Sequence, residues 1–228
     1  MSQSRSLLTI GARITLALCT PLVLLLSNLY VLATPAFVRH EYGKPTFPPA
    51  DLYSDQDRLS LAEATLHYMR SDKGVEYLSS LQVGGRGVYN WREIRHLVDA
   101  KRVLRGAYAL HALSAALGLL AIVLAWRRRE ERPKALRAVF WGCAAFVGTL
   151  MAIGLLAYTN FRLFFTLFHR LLFEGDSWLF AFSDTLIQLF PVTFWMDATW
   201  LLAALATVEC VLVGALALVL SRRLEVRR

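Results

Sequence analysis

Four apolar runs, at residues 14–33, 106–126, 138–158 and 199–220, constrain this 228-residue chain more than any motif does. Each is close to the ~20 apolar residues that a helix needs to cross the hydrocarbon layer. Of the whole chain, 56% is hydrophobic, above the share usual in soluble domains. The first run exceeds the ~7–15-residue apolar core of a secretory signal, and no small-x-small cleavage site follows it, so a retained helix is expected.

Charge sets the orientation of the four runs. Arg5 and Arg13 precede the first. Arg127, Arg128, Arg129, Arg132, Lys134 and Arg137 crowd the loop after the second, and Arg222, Arg223, Arg227 and Arg228 end the chain. Against Glu130, Glu131 and Glu225 this side carries +9, whereas residues 34–105 and 159–198 hold thirteen cations and thirteen acids. The positive-inside rule then predicts cytoplasmic termini and two long segments facing outward. The net charge of +8 is a mark of topology and calls for no nucleic-acid partner.

The predicted fold is an all-α membrane protein of four transmembrane helices with a mainly helical extracytoplasmic cap. Its expected layout is a cytoplasmic N-terminus (1–13), the first span (14–33), a cap segment (34–105), the second span (106–126) and a basic cytoplasmic loop (127–137). The third span (138–158), an aromatic interfacial segment (159–198), the fourth span (199–220) and a cytoplasmic C-terminus (221–228) follow. Cys19, Cys143 and Cys210 all fall inside spans and form no metal motif.

In the cap, Leu59, Ala62, Leu66 and Met69 are spaced to share one helical stripe, and GGRG at 84–87 reads as a turn. YNWREIRHLVDAKRVL opens another helix, with Asn90 as N-cap and Glu93 as its capping-box partner, running on toward the second span. Glu93, His96 and Asp99 lie within an arc of about 120° on that helix.

The second outward segment packs eleven Phe or Trp residues between Asn160 and Met196, interrupted by Arg162, His169, Arg170, Glu174, Gly175, Asp176 and Pro191. It is too broken to span and is expected in the membrane interface or as re-entrant helices. If Phe161 to Phe173 is helical, Phe165, His169 and Phe173 share one side.

FRLFFTLFHRLLFEGDSWLF…DTLIQLFPVTFW, with EIRHLVDAKRVL upstream, resembles the lipoprotein intramolecular transacylase family of bacterial membrane enzymes, over most of the chain. Ala100, where valine is expected, is a mild departure. The resemblance implies a four-helix protein of the bacterial cytoplasmic membrane, with the active site at its outer face and His96 and His169 as a catalytic pair. It implies acyl transfer within one substrate, from the sn-2 oxygen of a diacylglyceryl-modified lipoprotein to the α-amino group of its own N-terminal cysteine. The expected partners are thus such lipoproteins and membrane lipid. No cofactor or metal is called for.

Such a transfer needs a base for the amine proton, an acid for the glyceryl oxygen and a donor to the oxyanion, roles that two histidines can divide. An aromatic box would fold the substrate on itself and exclude water. Glu93 or Asp99 would orient His96, with Asp176 and Trp178 as further support and Phe165, Phe173 and Trp195 as substrate contacts. Competing roles stand beside these: capping for Glu93, pairing with Arg95 or Arg102 for Asp99, a turn for Asp176, and the aromatic belt for Trp178 and Trp195. Phe164, Phe168, Phe180 and Phe182 read as filler.

Glu209, inside the last span, is expected to be protonated and structural, and His111 is a further candidate support. The rival functions are a metal-dependent membrane hydrolase using Glu93, His96 and His169, and a non-catalytic assembly or sensory subunit.

Overall fold

A computed structural model of the chain describes residues 2–226, with side chains from residue 7 onward; the Arg5 side chain, Arg227 and Arg228 lie outside the described residues. The elements run α1 (Ser2–Ser27), α2 (Leu29–Leu32), α3 (Pro35–Tyr42), α4 (Asp55–Arg70) and α5 (Val75–Ser79). After them come β1 (Gln82–Val83), β2 (Arg86–Gly87), α6 (Trp91–Trp126), α7 (Arg132–Thr159), α8 (Phe161–Leu172), α9 (Thr185–Leu189) and α10 (Val192–Val226).

Four helices are long and apolar enough to cross a membrane: Leu7–Leu32, Trp91–Trp126, Arg132–Thr159 and Val192–Val226. The chain is an all-α, multi-pass membrane protein. At 1.5 Å per residue the 36-residue α6 measures ~54 Å, well beyond a ~30 Å hydrocarbon layer. It is therefore longer than a span requires, and its charged residues fall within 91–105, before the apolar run.

The chain divides into two compact units. The first comprises residues 1–29, 107–155 and 201–228. Its buried seam is made largely of small side chains: Ala12, Ala121, Ala125 and Ala135 around Leu16. Where lipid competes with protein for apolar surface, helices associate by close backbone approach, which small residues permit. Gly142 on α7 is the tightest such point, because a methyl group there would lie 2.7 Å from Ala17 Cα on α1. Gly142→Ala should therefore force the two helices apart and cost about 3 kcal/mol, read as a lower melting temperature of the detergent-solubilised protein. Inside this unit Asn28 Nδ2 donates to Glu209 Oε2 at 2.9 Å, and Ser27 Oγ lies 3.1 Å from His111 Nε2. Both polar groups of the spans thus have partners on neighbouring helices.

The second unit comprises residues 30–106 and 156–200. Its core joins Tyr68, Leu78, Leu97 and Leu186, with Leu61, Val88 and Leu189 forming an adjoining cluster. The buried face of α4 is Arg58, Leu61, Ala62, Thr65 and Tyr68, one position out of phase with most of the apolar stripe expected from Leu59, Leu66 and Met69. The reason is Arg58. It is 2% exposed, donates to the carbonyls of Gln188 and Pro48, and lies over the rings of Tyr42 and Phe47. A guanidinium satisfied in this way occupies a core position that a count of apolar side chains does not recognise. The GGRG stretch closes a two-stranded hairpin, pairing Gln82 with Gly87 and Val83 with Arg86. Gly84 and Gly85 hold φ of 59° and 77°, the double left-handed turn that glycine adopts readily.

Candidate functional site

The start of α6 and the whole of α8 carry the two histidines, both within the second unit. Asn90 caps α6. Its Oδ1 accepts from Arg92 N and Glu93 N, and Glu93 Oε2 accepts from Asn90 N at 2.8 Å, a complete capping box. Asn160 caps α8 by accepting from Leu163 N at 2.9 Å.

On α8, Arg162, Thr166, His169 and Arg170 share one face, and Leu163, Leu167, Phe168, Leu171 and Leu172 the other. That apolar face is exposed, with Leu171 at 82%. A helix so divided suits the plane of a membrane interface.

The two imidazoles converge. Their ring centroids are 6.1 Å apart and the planes differ by 22°. Phe173 touches both rings, at 4.8 Å from His96 and 5.4 Å from His169. Phe180 packs edge-on to His96, while Phe165, Phe168 and Trp178 enclose His169 at 4.0, 5.4 and 5.0 Å. Gly175, at φ 65°, turns the chain after α8, and Trp178 Nε1 donates back to its carbonyl.

His169 Nδ1 lies 2.8 Å from the Phe165 carbonyl oxygen. A carbonyl only accepts, so Nδ1 carries the proton and Nε2 keeps its lone pair. His96 Nδ1 is buried without a hydrogen-bond partner, and no hydrogen bond joins the two rings. Burial, with His169 beside it, pushes the His96 pKa down to about 4, and the charge of Asp99 offsets only part of this. Burial also lowers the His169 pKa, against the pull of the Phe165 carbonyl. Both rings are therefore neutral at ordinary pH.

A histidine whose pKa falls on folding contributes fully above its unfolded value of about 6.5 and withdraws that contribution as pH drops toward 4. Acidification from pH 6.5 to 4 should cost the protein about 3 kcal/mol through His96, and His96→Asn should remove that part of the pH dependence in thermal melts.

The hydrogen bonds of the two carboxylates on α6 run to other partners than His96. Glu93 is 1% exposed, with Oε1 accepting from Leu186 N at 2.8 Å and Oε2 from Asn90 N. Both oxygens are held by backbone donors, so Glu93 ties α6 to α9. Burial raises its pKa, the backbone donors opposing. Asp99 pairs with Arg102 at 2.8 Å. The shared 120° arc on α6 is real, but its three side chains reach different neighbours.

Asp176 is exposed, and its carbonyl closes a turn with Leu179 N. Trp178 is 9% exposed against His169 instead of standing in a belt. Trp195 is 44% exposed, with Phe190 and Phe194 as its ring neighbours. Phe168 and Phe180, expected as filler, belong to the wall. Phe168 follows directly from its place beside His169, whereas Phe180 arrives through the turn at Gly175 and has no periodic signal.

A family model described as lipoprotein intramolecular transacylase Lit matches residues 14–195. A protein of Aquifex aeolicus (strain VF5), described only as uncharacterized, is 30% identical over 180 residues, 78% of this chain and 79% of that one. Among solved structures, the membrane-integral lipoprotein intramolecular transacylase Lit from Bacillus cereus is similar with a TM-score of 0.70 at 18% identity, covering 98% of this chain and 99% of that chain. A histidine-to-arginine variant of the same protein gives 0.64 at 16% identity, over 100% and 96%. At those identities the likeness is one of fold.

Proposed function

This chain belongs to the lipoprotein intramolecular transacylase family, and on that premise we propose that it moves the sn-2 acyl chain of a diacylglyceryl-modified lipoprotein to the α-amino group of that lipoprotein's N-terminal cysteine. Membership makes the chain a membrane-integral acyltransferase. The acid/base assignment rests on one observation: two neutral imidazoles from separate helices meet at 6.1 Å inside an aromatic wall, one with its Nε2 lone pair left free by the Phe165 carbonyl.

His169 Nε2 takes the proton from the amine as its nitrogen attacks the ester carbonyl. The N–H of His96 faces the carbonyl oxygen and donates to it as it gains charge. The C–O bond breaks as the proton on His169 Nε2 passes to the departing glyceryl oxygen, the amide C–N bond remains, and both histidines end neutral as they began. No proton or acyl group is gained or lost overall. Phe165, Phe168, Phe173, Phe180 and Trp178 exclude water and hold the amine near its own ester, where effective molarities reach about 10⁵–10⁸ M. Neutral histidines suit this task, since a protonated pair would neither accept the amine proton nor tolerate the apolar wall.

The reaction site sits at the outer face of the bacterial cytoplasmic membrane, with both termini inside. The cationic balance of the described loop and tail and the exposed apolar face of α8 support that orientation. The test gives the purified protein a diacylated lipopeptide with a free amino terminus. The expected product has unchanged mass, has lost its reactive amine and yields a fragment carrying an amide-linked chain. Release of free fatty acid, with the amine intact, would instead make the protein a hydrolase.

A further inference from the structure

Away from the histidines, the basic end of the first unit encloses a cavity of about 210 Å³ between the beginning of α1 and the end of α6. Arg13, Arg127, Arg128 and Glu131 supply its charged wall, and Leu8 and Leu124 its apolar rim. Glu131 is 7% exposed. Its Oε1 accepts from Lys134 Nζ at 3.0 Å, but Oε2 is buried without a hydrogen bond. Arg13 Nε, which donates to the Thr9 carbonyl, stands 3.6 Å from Oε2 as its ion-pair partner.

Arg13 and Lys134 together compensate the buried carboxylate. Three guanidiniums beside it leave a surplus of positive charge. Guanidinium forks match phosphate oxygens, and basic pockets at the ends of membrane helices suit lipid head groups.

We propose that this cavity binds the headgroup of an anionic glycerophospholipid. The phosphodiester takes the guanidiniums of Arg127, Arg128 and Arg13. The first methylenes of the acyl chains lie on Leu8 and Leu124. A choline headgroup would add a cation to a cationic wall. Inorganic phosphate shares the anion chemistry but has no use for the apolar rim.

The experiment uses the full-length, delipidated protein in a neutral detergent. Thermal melts and native mass spectrometry are run with phosphatidylglycerol, phosphatidic acid, phosphatidylcholine or inorganic phosphate. One phosphatidylglycerol per chain is expected to remain bound and to raise the melting temperature, with phosphatidylcholine and phosphate giving no shift. Arg127→Gln combined with Arg128→Gln should weaken that affinity about thirtyfold, and the matching lysine pair should retain most of it. Phosphatidic acid, which carries the same anionic oxygens, should raise the melting temperature as well.

Equal shifts from phosphatidylglycerol and phosphatidylcholine would overturn the proposal, as would undiminished binding by the glutamine pair. A full shift from inorganic phosphate alone would overturn the lipid assignment. If the glutamine pair does not fold, the lipid preference of the unaltered protein decides by itself.

Discussion

Replacing His169 with alanine is expected to lower turnover of a diacylated lipopeptide by about 10²–10⁴-fold, the range for losing a general base. The ring is 8% exposed, and five aromatic contacts hold it with its free nitrogen turned from the Phe165 carbonyl. Because alanine also leaves a gap in that wall, His169→Gln is the sharper variant: it fills the space and accepts hydrogen bonds, but takes up no proton at working pH. Both should fail in single-turnover assays matched for folded protein. Turnover within threefold of the unaltered enzyme in the glutamine variant would remove His169 from the chemistry.

Glu93→Ala should act on stability. Two backbone donors, Asn90 N and Leu186 N, lose their acceptor together. An unpaired buried donor costs about 1–3 kcal/mol, so the loss should be about 3 kcal/mol, a drop of roughly 6–12 °C in melting temperature. Once corrected for folded fraction, turnover should fall less than tenfold. A variant that melts normally but does not turn over would return Glu93 to the catalytic group.

These two residues also show what was legible in the chain. The four spans follow from length and apolarity alone, because a bilayer imposes nearly the same requirement on any helix. The capping box at Asn90 and Glu93 is a local arrangement, and local spacing reveals it. Which neighbour uses the second oxygen of Glu93 is another matter, since Leu186 lies 93 residues away and periodicity carries no such information.

The same limit separates Phe165 from Phe180. The first lies one helical turn from His169 and is visible at i−4. The second reaches His96 only after the chain reverses at Gly175. Arg58 escaped for a different reason, since its charge argues against burial unless its carbonyl partners are known. His96 and His169 were brought together by family resemblance and by the chemistry the pair can perform, not by spacing.

The bond from His169 to the Phe165 carbonyl has an evolutionary side. In enzymes whose histidine is oriented by an acidic side chain, one nucleotide change can delete the orienting group. Here the acceptor is main chain, present whatever residue stands at that position, so a mutational scan should reveal a dyad with no third member. Drift around this histidine can reshape its apolar surroundings while leaving its tautomer untouched.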